Sequence, residues 1–127
     1  MSTLEVSNLN DGTTTVATTN LTNGSAKVWV NYYQNNNTVD DSFNVSSVSD
    51  DATGLFTVNF TTSFSNANYA PVGMTRGYHI IQSTSGALSD SKTTSLLKLQ
   101  QFYVSSTTGN RTDIDLIAYL GMWGDQA

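Results

Sequence analysis

Paired carboxylates are the residues of this sequence with the clearest capacity for chemistry. They are the adjacent pairs Asp40-Asp41 and Asp50-Asp51 and the spaced pair Asp113 and Asp115. A glycosidase would need two carboxylates about 5 to 9.5 Å apart across a sugar, and nothing in the sequence holds a pair at that separation. The adjacent pairs lie in stretches predicted to turn, where Asp side chains hydrogen-bond the backbone and face water. We therefore predict that the aspartates are structural and that the chain is not an enzyme.

Other chemistry-bearing side chains are sparse. His79 is the single histidine and lies between apolar neighbours in GYHIIQ; a packed or surface position is a simpler interpretation than a catalytic base, which would need a nucleophile and an orienting acid. Oxygen ligands are plentiful in residues 35–41 and 50–54, but their spacing matches no calcium loop. There is no glycine-rich phosphate loop, nucleophile elbow or metal-binding histidine pair. The sequence predicts no cofactor and no metal.

Aromatic side chains are the remaining candidates for a functional site. The chain has six Tyr, five Phe and two Trp, which is more than one small core requires. Amphipathic rings at a surface serve protein interfaces and sugar-binding platforms, and we favour a subunit interface over ligand binding as the reason for the surplus. The candidate residues are Trp29, Tyr33, Tyr78, Tyr119 and Trp123.

Strands must position these rings, because the composition disfavours helices. More than a third of the residues are Ser, Thr or Asn and only 12% are charged, which is typical of strands and turns. Apolar and polar residues come close to alternating in residues 27–33, 42–60 and 112–123, the pattern of strands; large groups on both faces of 27–33 suggest burial on both sides. Residues 66–86 are expected to form two strands. Residues 96–106 have a leucine spacing that a helix could also use, but Phe102, Tyr103 and Val104 favour a strand. We predict an all-β fold, a small antiparallel sandwich or barrel-like domain of about eight short strands, with almost no helix.

The same pattern predicts the connections. QNNNTVDD, residues 34–41, is expected to be a loop, and residues 42–60 a hairpin with a five-residue turn in which Gly54 has a positive φ. Pro71 has no N–H group to donate, so its strand is predicted at a sheet edge or a bulge. Residues 112–123 are predicted to form one strand that belongs to the sheet.

Residues 1–25 differ in composition from the rest of the chain. They combine short strand-like pieces with the turn signals NDG and NG and have few apolar residues. They are expected to form an extended N-terminal arm that packs on the body, on a neighbouring subunit, or not at all. Residues 26–127 are expected to form the sandwich itself, within the size range of one domain.

Charge and termini limit the partners. The net charge is -5, and the five basic residues are scattered, whereas binding to phosphates needs a concentrated positive face. The opening MSTLEV lacks the basic and apolar regions of a signal peptide, and no apolar run is long enough to span a bilayer. We expect no nucleic-acid partner, no membrane insertion and synthesis in a cytoplasm. Without cysteine, disulfides and thiolate metal sites are excluded.

Part of the chain resembles a known family. AKVWVNYY and SFNVSSVSDDATGLFTVNFTTSFSNANYAPVG are similar to the repeating signature of bacteriophage tail-fibre and related virion fibre domains. In those families Ala-Lys-x-Trp-Val-Asn-Phe leads through a short loop to Ser-Phe-Asn-Val-Ser-Ser-Ile, an Asp-rich Gly turn, Tyr-Thr-Val-Asn-Phe and Asn-Tyr. The match covers residues 26 to about 73, and MSTLEVSNLNDGTTT looks like the start of short phage fibre proteins. The part from Met74 onward diverges among such proteins.

The resemblance implies a homotrimeric, all-β structural protein of a phage particle, whose N-terminal arm joins or wraps the trimer. Its partners would be other phage tail or capsid proteins and a glycan of the host cell surface, and its location the virion. Long host-recognition fibres have a shaft and a separate anchor, for which this chain has no room, so a short fibre, a tip or a decoration is expected. The alternatives are a carbohydrate-binding module without catalysis, which predicts a monomer with an exposed aromatic row, and an endoglycosidase with two close acids.

Overall fold

The strands of this chain pair into antiparallel sheets, and the predicted all-β, sandwich-like fold is confirmed. The structure, a computed structural model, describes residues 3, 5–77, 79–83 and 91–127. Eleven strands lie in this part of the chain, rather than about eight. They are β1 (Asn8–Asn10), β2 (Thr15–Ala17), β3 (Val28–Tyr33), β4 (Thr38–Phe43), β5 (Val45–Ala52), β6 (Leu55–Phe60), β7 (Ala70–Thr75), β8 (Ile80–Ser83), β9 (Leu96–Val104), β10 (Arg111–Asp113) and β11 (Ile117–Trp123).

Two larger sheets and one small hairpin account for these strands. The four-stranded sheet has the order β4-β3-β11-β7, and the five-stranded sheet has the order β10-β9-β6-β5, with β8 also paired to β9. Within the described part of the chain, β1 and β2 pair only with each other. Pro71 lies in β7, which is an edge strand of the four-stranded sheet, so the prediction for its strand is confirmed.

Apolar side chains from both larger sheets meet in one core. Alternate residues of β3, β6, β9 and β11 point to the same side of their sheet, as strand geometry requires, and bring their large side chains between the sheets. The buried members are Val28, Val30, Tyr32, Phe56, Val58, Phe60, Phe64, Tyr69, Leu97, Leu99, Ala118, Leu120 and Met122. The two sheets therefore stack through their inner faces, and each has an outer face.

Two buried glutamines add a polar link between the sheets. The Nε2 group of Gln101, on β9, donates to Oε1 of Gln34 and to the carbonyl of Leu116, both at 3.3 Å. Gln34 Nε2 lies 2.9 Å from Oδ1 of Asp50, and Gln101 Oε1 accepts a bond of 2.8 Å from the Thr75 hydroxyl. Buried amides are tolerated when their hydrogen bonds are satisfied, and here they tie β5, β7 and β9 together.

The chain crosses from one sheet to the other at Asn44. This residue has a φ of 58°, in the left-handed region that Asn tolerates better than most residues. Its Nδ2 group donates to the carbonyls of Lys27 and Thr62, and its Oδ1 accepts from the Thr62 N–H at 2.7 Å. The predicted hairpin over residues 42–60 is therefore wrong at its start: Ser42 and Phe43 end β4 of the four-stranded sheet, and the hairpin begins at Val45.

Two other predicted connections are shorter than expected. Thr38–Phe43 is strand β4 because it pairs with β3, so only residues 34–37 turn, through a 3-10 helix at Gln34–Asn36 and a left-handed Asn37. In the β5–β6 hairpin Ala52 pairs with Leu55, which leaves a turn of two residues instead of five. The positive φ of Gly54, at +69°, is confirmed. Both adjacent aspartate pairs consequently lie in strands rather than in turns.

The predicted single strand over residues 112–123 is also wrong. β10 ends at Asp113 and pairs with β9 of the five-stranded sheet, whereas β11 begins at Ile117 and pairs with β3 and β7 of the other. The residues between them carry the chain across the sandwich. The prediction that this part of the chain belongs to a sheet is confirmed, because β11 is central in the four-stranded sheet.

Residues 5–25 form the β1–β2 hairpin followed by helix α1 (Thr18–Gly24). The expectation of almost no helix missed α1, whose sequence TTNLTNG has weak helix propensity. Its first turn is held from outside: the Thr18 N–H and hydroxyl both donate to the Ser7 carbonyl, at 2.9 and 3.1 Å. Among the described residues, no hydrogen bond joins residues 5–24 to residues 26–127. Within the described part of the chain no helix has the length and apolarity that crossing a membrane requires.

Candidate functional site: the outer face of the four-stranded sheet

Strand β3 sorts its side chains between the core and the outside. Val28, Val30 and Tyr32 are at most 2% exposed. The residues between them, Trp29, Asn31 and Tyr33, therefore point to the outer face of the four-stranded sheet. We call this outer face the aromatic face.

Cross-strand register extends the aromatic face over all four strands. Residues paired directly across neighbouring strands point to the same side. Trp29 pairs with Phe43 of β4 and Gly121 of β11, and Gly121 pairs in turn with Val72 of β7. This row of residues crosses the sheet from one edge to the other.

A second row lies beside the first. Asn31 pairs with Asp41 of β4 and Tyr119 of β11, and Tyr119 pairs with Met74 of β7. Tyr33 and Ile117 form the next pair along the sheet. Aromatic and aliphatic side chains thus cover most positions of this face.

Trp123 completes the face at the end of β11. A Cβ atom on Gly121 would lie 2.6 Å from Cη2 of Trp123, so the indole ring lies directly over the glycine. Gly121 is required here because it leaves the space that the ring occupies. Trp123 is half-buried as a result.

The aromatic face leaves a large apolar surface in contact with water. Trp29, Phe43 and Tyr119 are 37%, 53% and 43% exposed; with about 200 Å² for each aromatic side chain, the three rings leave about 270 Å² in water. Val72 and Met74 are more exposed still, at 61% and 63%. Apolar patches of about 300 to 600 Å² are the largest on typical monomers and are often functional.

Four of the five predicted site residues meet on this face: Trp29, Tyr33, Tyr119 and Trp123. Tyr78 lies outside the residues that the structure describes. Two other tyrosines that contribute to the aromatic surplus, Tyr32 and Tyr69, are core residues with exposures of 1% and 2%. Among the described tyrosines, the surplus is therefore divided between the core, the aromatic face and Tyr103 on β9.

Sequence reasoning missed the aliphatic half of the face. Val72 and Met74 are in a strand with a proline, and the expected edge position gave no reason to count their side chains. Phe43 was grouped with the hairpin that follows it, although it ends the preceding strand. The signal for both was present in the alternation of Val72 and Met74 and in the positive-φ residue type at Asn44, which marks a break between two strands.

Two charged residues flank the aromatic face at opposite edges. Asp41 lies on edge strand β4, and Arg76 comes directly after edge strand β7, where its N–H donates to the Ile117 carbonyl. Three strand spacings separate these edges, about 14 Å. The Asp41 carboxylate accepts only from the N–H of Ser42, and the Arg76 guanidinium has no hydrogen-bond or ion-pair partner in the described part of the chain. Between them the Oδ1 atom of Asn31 is buried without a donor among the described residues.

Several other aspartates stabilise the structure through side-chain hydrogen bonds. Asp51 accepts from the Thr57 hydroxyl at 2.6 Å, Asp115 from the N–H of Gly54 at 2.6 Å, and Asp113 from Gln100 and Arg111. Several of these acids surround a core tyrosine: burial, with the charges of Asp50, Asp115 and Asp51, raises the pKa of Tyr32 to about 12. Among the described residues no group of three or more acids or histidines could hold a metal ion.

His79 lies outside the aromatic face. Its Nδ1 atom is 2.9 Å from the Arg76 carbonyl, so that nitrogen carries the hydrogen and donates. The imidazole meets the ring of Tyr103 edge-on, with centroids 6.0 Å apart. Both rings line a shallow concavity of about 470 Å³ together with Val104, Ser105 and Ser106. No carboxylate is bonded to the imidazole within the described residues.

Two apolar concavities lie elsewhere. One, of about 340 Å³, opens between the edge strands β7 and β8 and reaches the core at Leu99 and Leu120. The other, of about 420 Å³, lies within the arm and is lined by Leu9, Val16 and Leu21 among others. Leu9 and Leu21 are nearly half exposed, so the arm also presents apolar surface.

Comparison of the chain with known proteins gives no further constraint on function. No protein-family model matches it. No curated protein is similar to it at a significant level. No solved structure matches its fold at a significant level.

Proposed function

We propose that the protein is a structural component of a bacteriophage particle: a short, homotrimeric, tail-fibre-like protein that attaches the virion to the host surface or decorates it. In this proposal the chain is not an enzyme, its work is binding through surfaces, and its partners are two further copies and other tail or capsid proteins. It would be made in the host cytoplasm and reside in the virion.

The observation that carries this proposal is the aromatic face. Interfaces between proteins are enriched in aromatic residues and Met and depleted of charge at their centre, and this face combines Trp29, Tyr119 and Met74 with the charged Asp41 on its edge strand β4. An exposed surface of this kind on a chain of this size is poorly solvated, and association with further copies would cover it. The resemblance of residues 26–73 to phage fibre domains supports the same proposal from the sequence.

The N-terminal arm gives a second reason to favour an assembly. Val6, Leu9 and Leu21 are 43–48% exposed, and the hydrogen bonds of residues 5–24 stay within the arm and its junction. A hairpin of two three-residue strands is too small to be stable on its own. Contact with a neighbouring subunit or another particle protein would supply the missing burial.

A carbohydrate-binding module is the second candidate, and the same rings favour it. Trp29, Tyr33, Tyr119 and Trp123 share one flat face, and exposed aromatic rings can stack on sugars through their π-faces. This alternative requires a monomer, because assembly through the face would cover the rings. The two candidates therefore make opposite predictions about mass.

Light scattering on the purified full-length chain tests the proposal. A trimer of 13.7 kDa chains would have a molar mass of about 41 kDa, and immunogold labelling of purified particles that encode the chain would then locate it on the virion. A monomer near 13.7 kDa at all accessible concentrations would contradict the proposal. A glycan array with the Trp29→Ala and Trp123→Ala variants would then test the sugar-binding candidate.

A further inference from the structure

The aromatic face and its two flanking charges specify what covers the face. We propose that a second copy of this chain packs its own aromatic face here, with Asp41 of one copy paired with Arg76 of the next. This inference rests on the self-association that the proposed function requires, and not on the number of copies, because it names the surface through which the copies would associate.

The shape of the face favours another sheet as its occupant. The apolar positions lie on four adjacent strands of a single sheet, in rows that run from edge to edge. Flat apolar sheet faces pack well against one another, with the backbones about 10 Å apart. A second copy offers a face of the same size and composition, so each copy covers the surface that the other exposes.

The apolar area of the aromatic face is the size expected for the centre of an interface. A stable interface buries about 800 Å² on each partner, and the apolar side chains of the aromatic face would supply roughly half of that. The rest must come from a polar rim, which is the usual anatomy of an interface. Asp41 and Arg76 lie where such a rim would be.

Charge gives the copies a preferred orientation. Asp41 and Arg76 have opposite signs and lie at opposite edges of the same face, too far apart to pair within one chain. When one copy is rotated relative to the other about an axis that runs along the strands, its β4 edge meets the β7 edge of the neighbour. This rotation places Asp41 of one copy beside Arg76 of the other.

The alternative occupants fit less well. A sugar would use the rings, but Val72 and Met74, the most exposed apolar residues of the face, would be left in water. A strongly basic partner would meet a single carboxylate, Asp41, at the edge of the face. A second copy leaves neither Val72 and Met74 exposed nor the two charges unpaired.

A charge-swap experiment tests this pairing. Asp41→Arg and Arg76→Asp are each expected to weaken self-association at least about tenfold at low salt, because each change places two like charges together at the interface. The double variant restores opposite charges in exchanged positions, and we expect its self-association to return to within about threefold of the unchanged protein. The measurement is molar mass by light scattering over a dilution series, with circular dichroism to confirm that every variant is folded.

Matched substitutions test the apolar centre. Tyr119→Ser, on the face, should shift the assembly toward monomer, whereas Tyr103→Ser should not, because Tyr103 has a similar exposure but lies on β9 of the other sheet. Lys98→Glu is the charge-reversal control, since Lys98 is exposed on the outer face of the five-stranded sheet.

Each outcome has a definite meaning. Loss of association in the single variants, recovery in the double variant and no effect of the controls would support the inference. A trimer that is unaffected by all the face variants would overturn it and leave the proposed function standing. A dimer that responds to the charge swap would support the inference and overturn the trimer of the proposed function. A monomeric unchanged protein would overturn both.

Discussion

The outer faces of the two larger sheets differ: one is covered by bonded polar side chains, and the other exposes apolar side chains. On the five-stranded sheet, polar side chains bond to one another across strands: Thr57 donates to Asp51, Gln100 donates to Asp113, and the guanidinium of Arg111 lies 4.5 Å over the ring of Phe102. On the four-stranded sheet, the exposed aromatic and aliphatic side chains are not covered by polar or charged side chains in this way. One chain therefore contains a face completed by its own residues and a face that is left open, and this difference locates the surface available for binding.

The largest expected effect concerns the turn that closes the five-stranded sheet. A Cβ at residue 54 would lie 2.4 Å from the Gln101 carbonyl oxygen and 2.9 Å from the Ile114 nitrogen, at a φ of +69°. Both contacts are backbone atoms, one in β9 and one directly after β10, and they bond to each other. We therefore expect Gly54→Ala to lower the free energy of unfolding by at least about 3 kcal/mol. Urea denaturation followed by circular dichroism would measure it.

Gly109→Ala is the matched control for that change. Gly109 has the same φ of +69° but nothing within 4 Å of its would-be Cβ, so only the left-handed backbone is penalised, by about 1 kcal/mol. Equal losses of stability at the two positions would show that the close backbone contacts of Gly54 contribute nothing. The five-stranded sheet would then not be closely packed at this turn.

The second largest effect concerns the corner that connects the two sheets. Asn44→Ala removes three side-chain hydrogen bonds and places a less tolerant residue at φ 58°, and we expect a loss of about 2 to 4 kcal/mol. Asn44→Gly keeps the backbone conformation accessible and should recover part of that loss. If alanine and glycine destabilise equally, the left-handed conformation contributes nothing and the hydrogen bonds alone hold the corner.

A smaller effect is expected in alkali, and it concerns the core that the sheets share. Burial raises the pKa of Tyr32 to about 12 and also raises that of Tyr69. The unfolded chain loses these protons near the ordinary tyrosine pKa of about 10, so the free energy of unfolding should be constant below that pH and fall as the pH rises toward 12. Tyr32→Phe should flatten this fall. A stability that does not change between pH 9 and 12 would show that the phenol protons are equally easy to remove in the folded chain.

The smallest effect would make the five-stranded outer face resemble the other one. Arg111→Ala removes an exposed ion pair with Asp113 and uncovers the ring of Phe102, and we expect a loss of about 1 kcal/mol or less. Because the change creates new exposed apolar surface, binding of a hydrophobic dye should rise. If dye binding is unchanged, Arg111 does not cover Phe102 in solution, and the contrast between the faces is smaller than described.

Much of this architecture could be predicted from periodicity. Alternation identified β3, β6 and the strand containing Trp123, and the residue types of Phe102, Tyr103 and Val104 identified β9. Pro71 predicted an edge or a bulge for its strand, because proline has no N–H group to donate. Four rings of the aromatic face, Trp29, Tyr33, Tyr119 and Trp123, were among the five aromatic residues selected from the sequence, whereas Phe43 was not. They were selected because aromatic residues are numerous, and only the pairing of β3 with β11 places them on one face.

The rest depends on which strands pair, and pairing is not local. Asn44 and Ile114 to Leu116 carry the chain between sheets. The residue type at Asn44 permits a break between strands, but it does not say with which sheet the next strand pairs. Helix α1 follows from the contact between Thr18 and Ser7, which lie eleven residues apart, and not from its own propensity. Val72 and Met74 became part of the face only because β7 pairs with β11, more than forty residues later.

The aspartate pairs of β4 and β5 also oppose the addition of further strands at the edges of the two sheets. Both are edge strands, with unpaired backbone groups that could template a strand from another molecule. Asp40 and Asp41 lie on one edge and Asp50 and Asp51 on the other, and charged residues on an edge oppose the approach of a second acidic edge. At the far end of the four-stranded sheet, Pro71 removes a donor from β7. Edge-to-edge polymerisation is therefore disfavoured along these strands. A chain with an uncovered apolar face needs this protection against fibrillar aggregation.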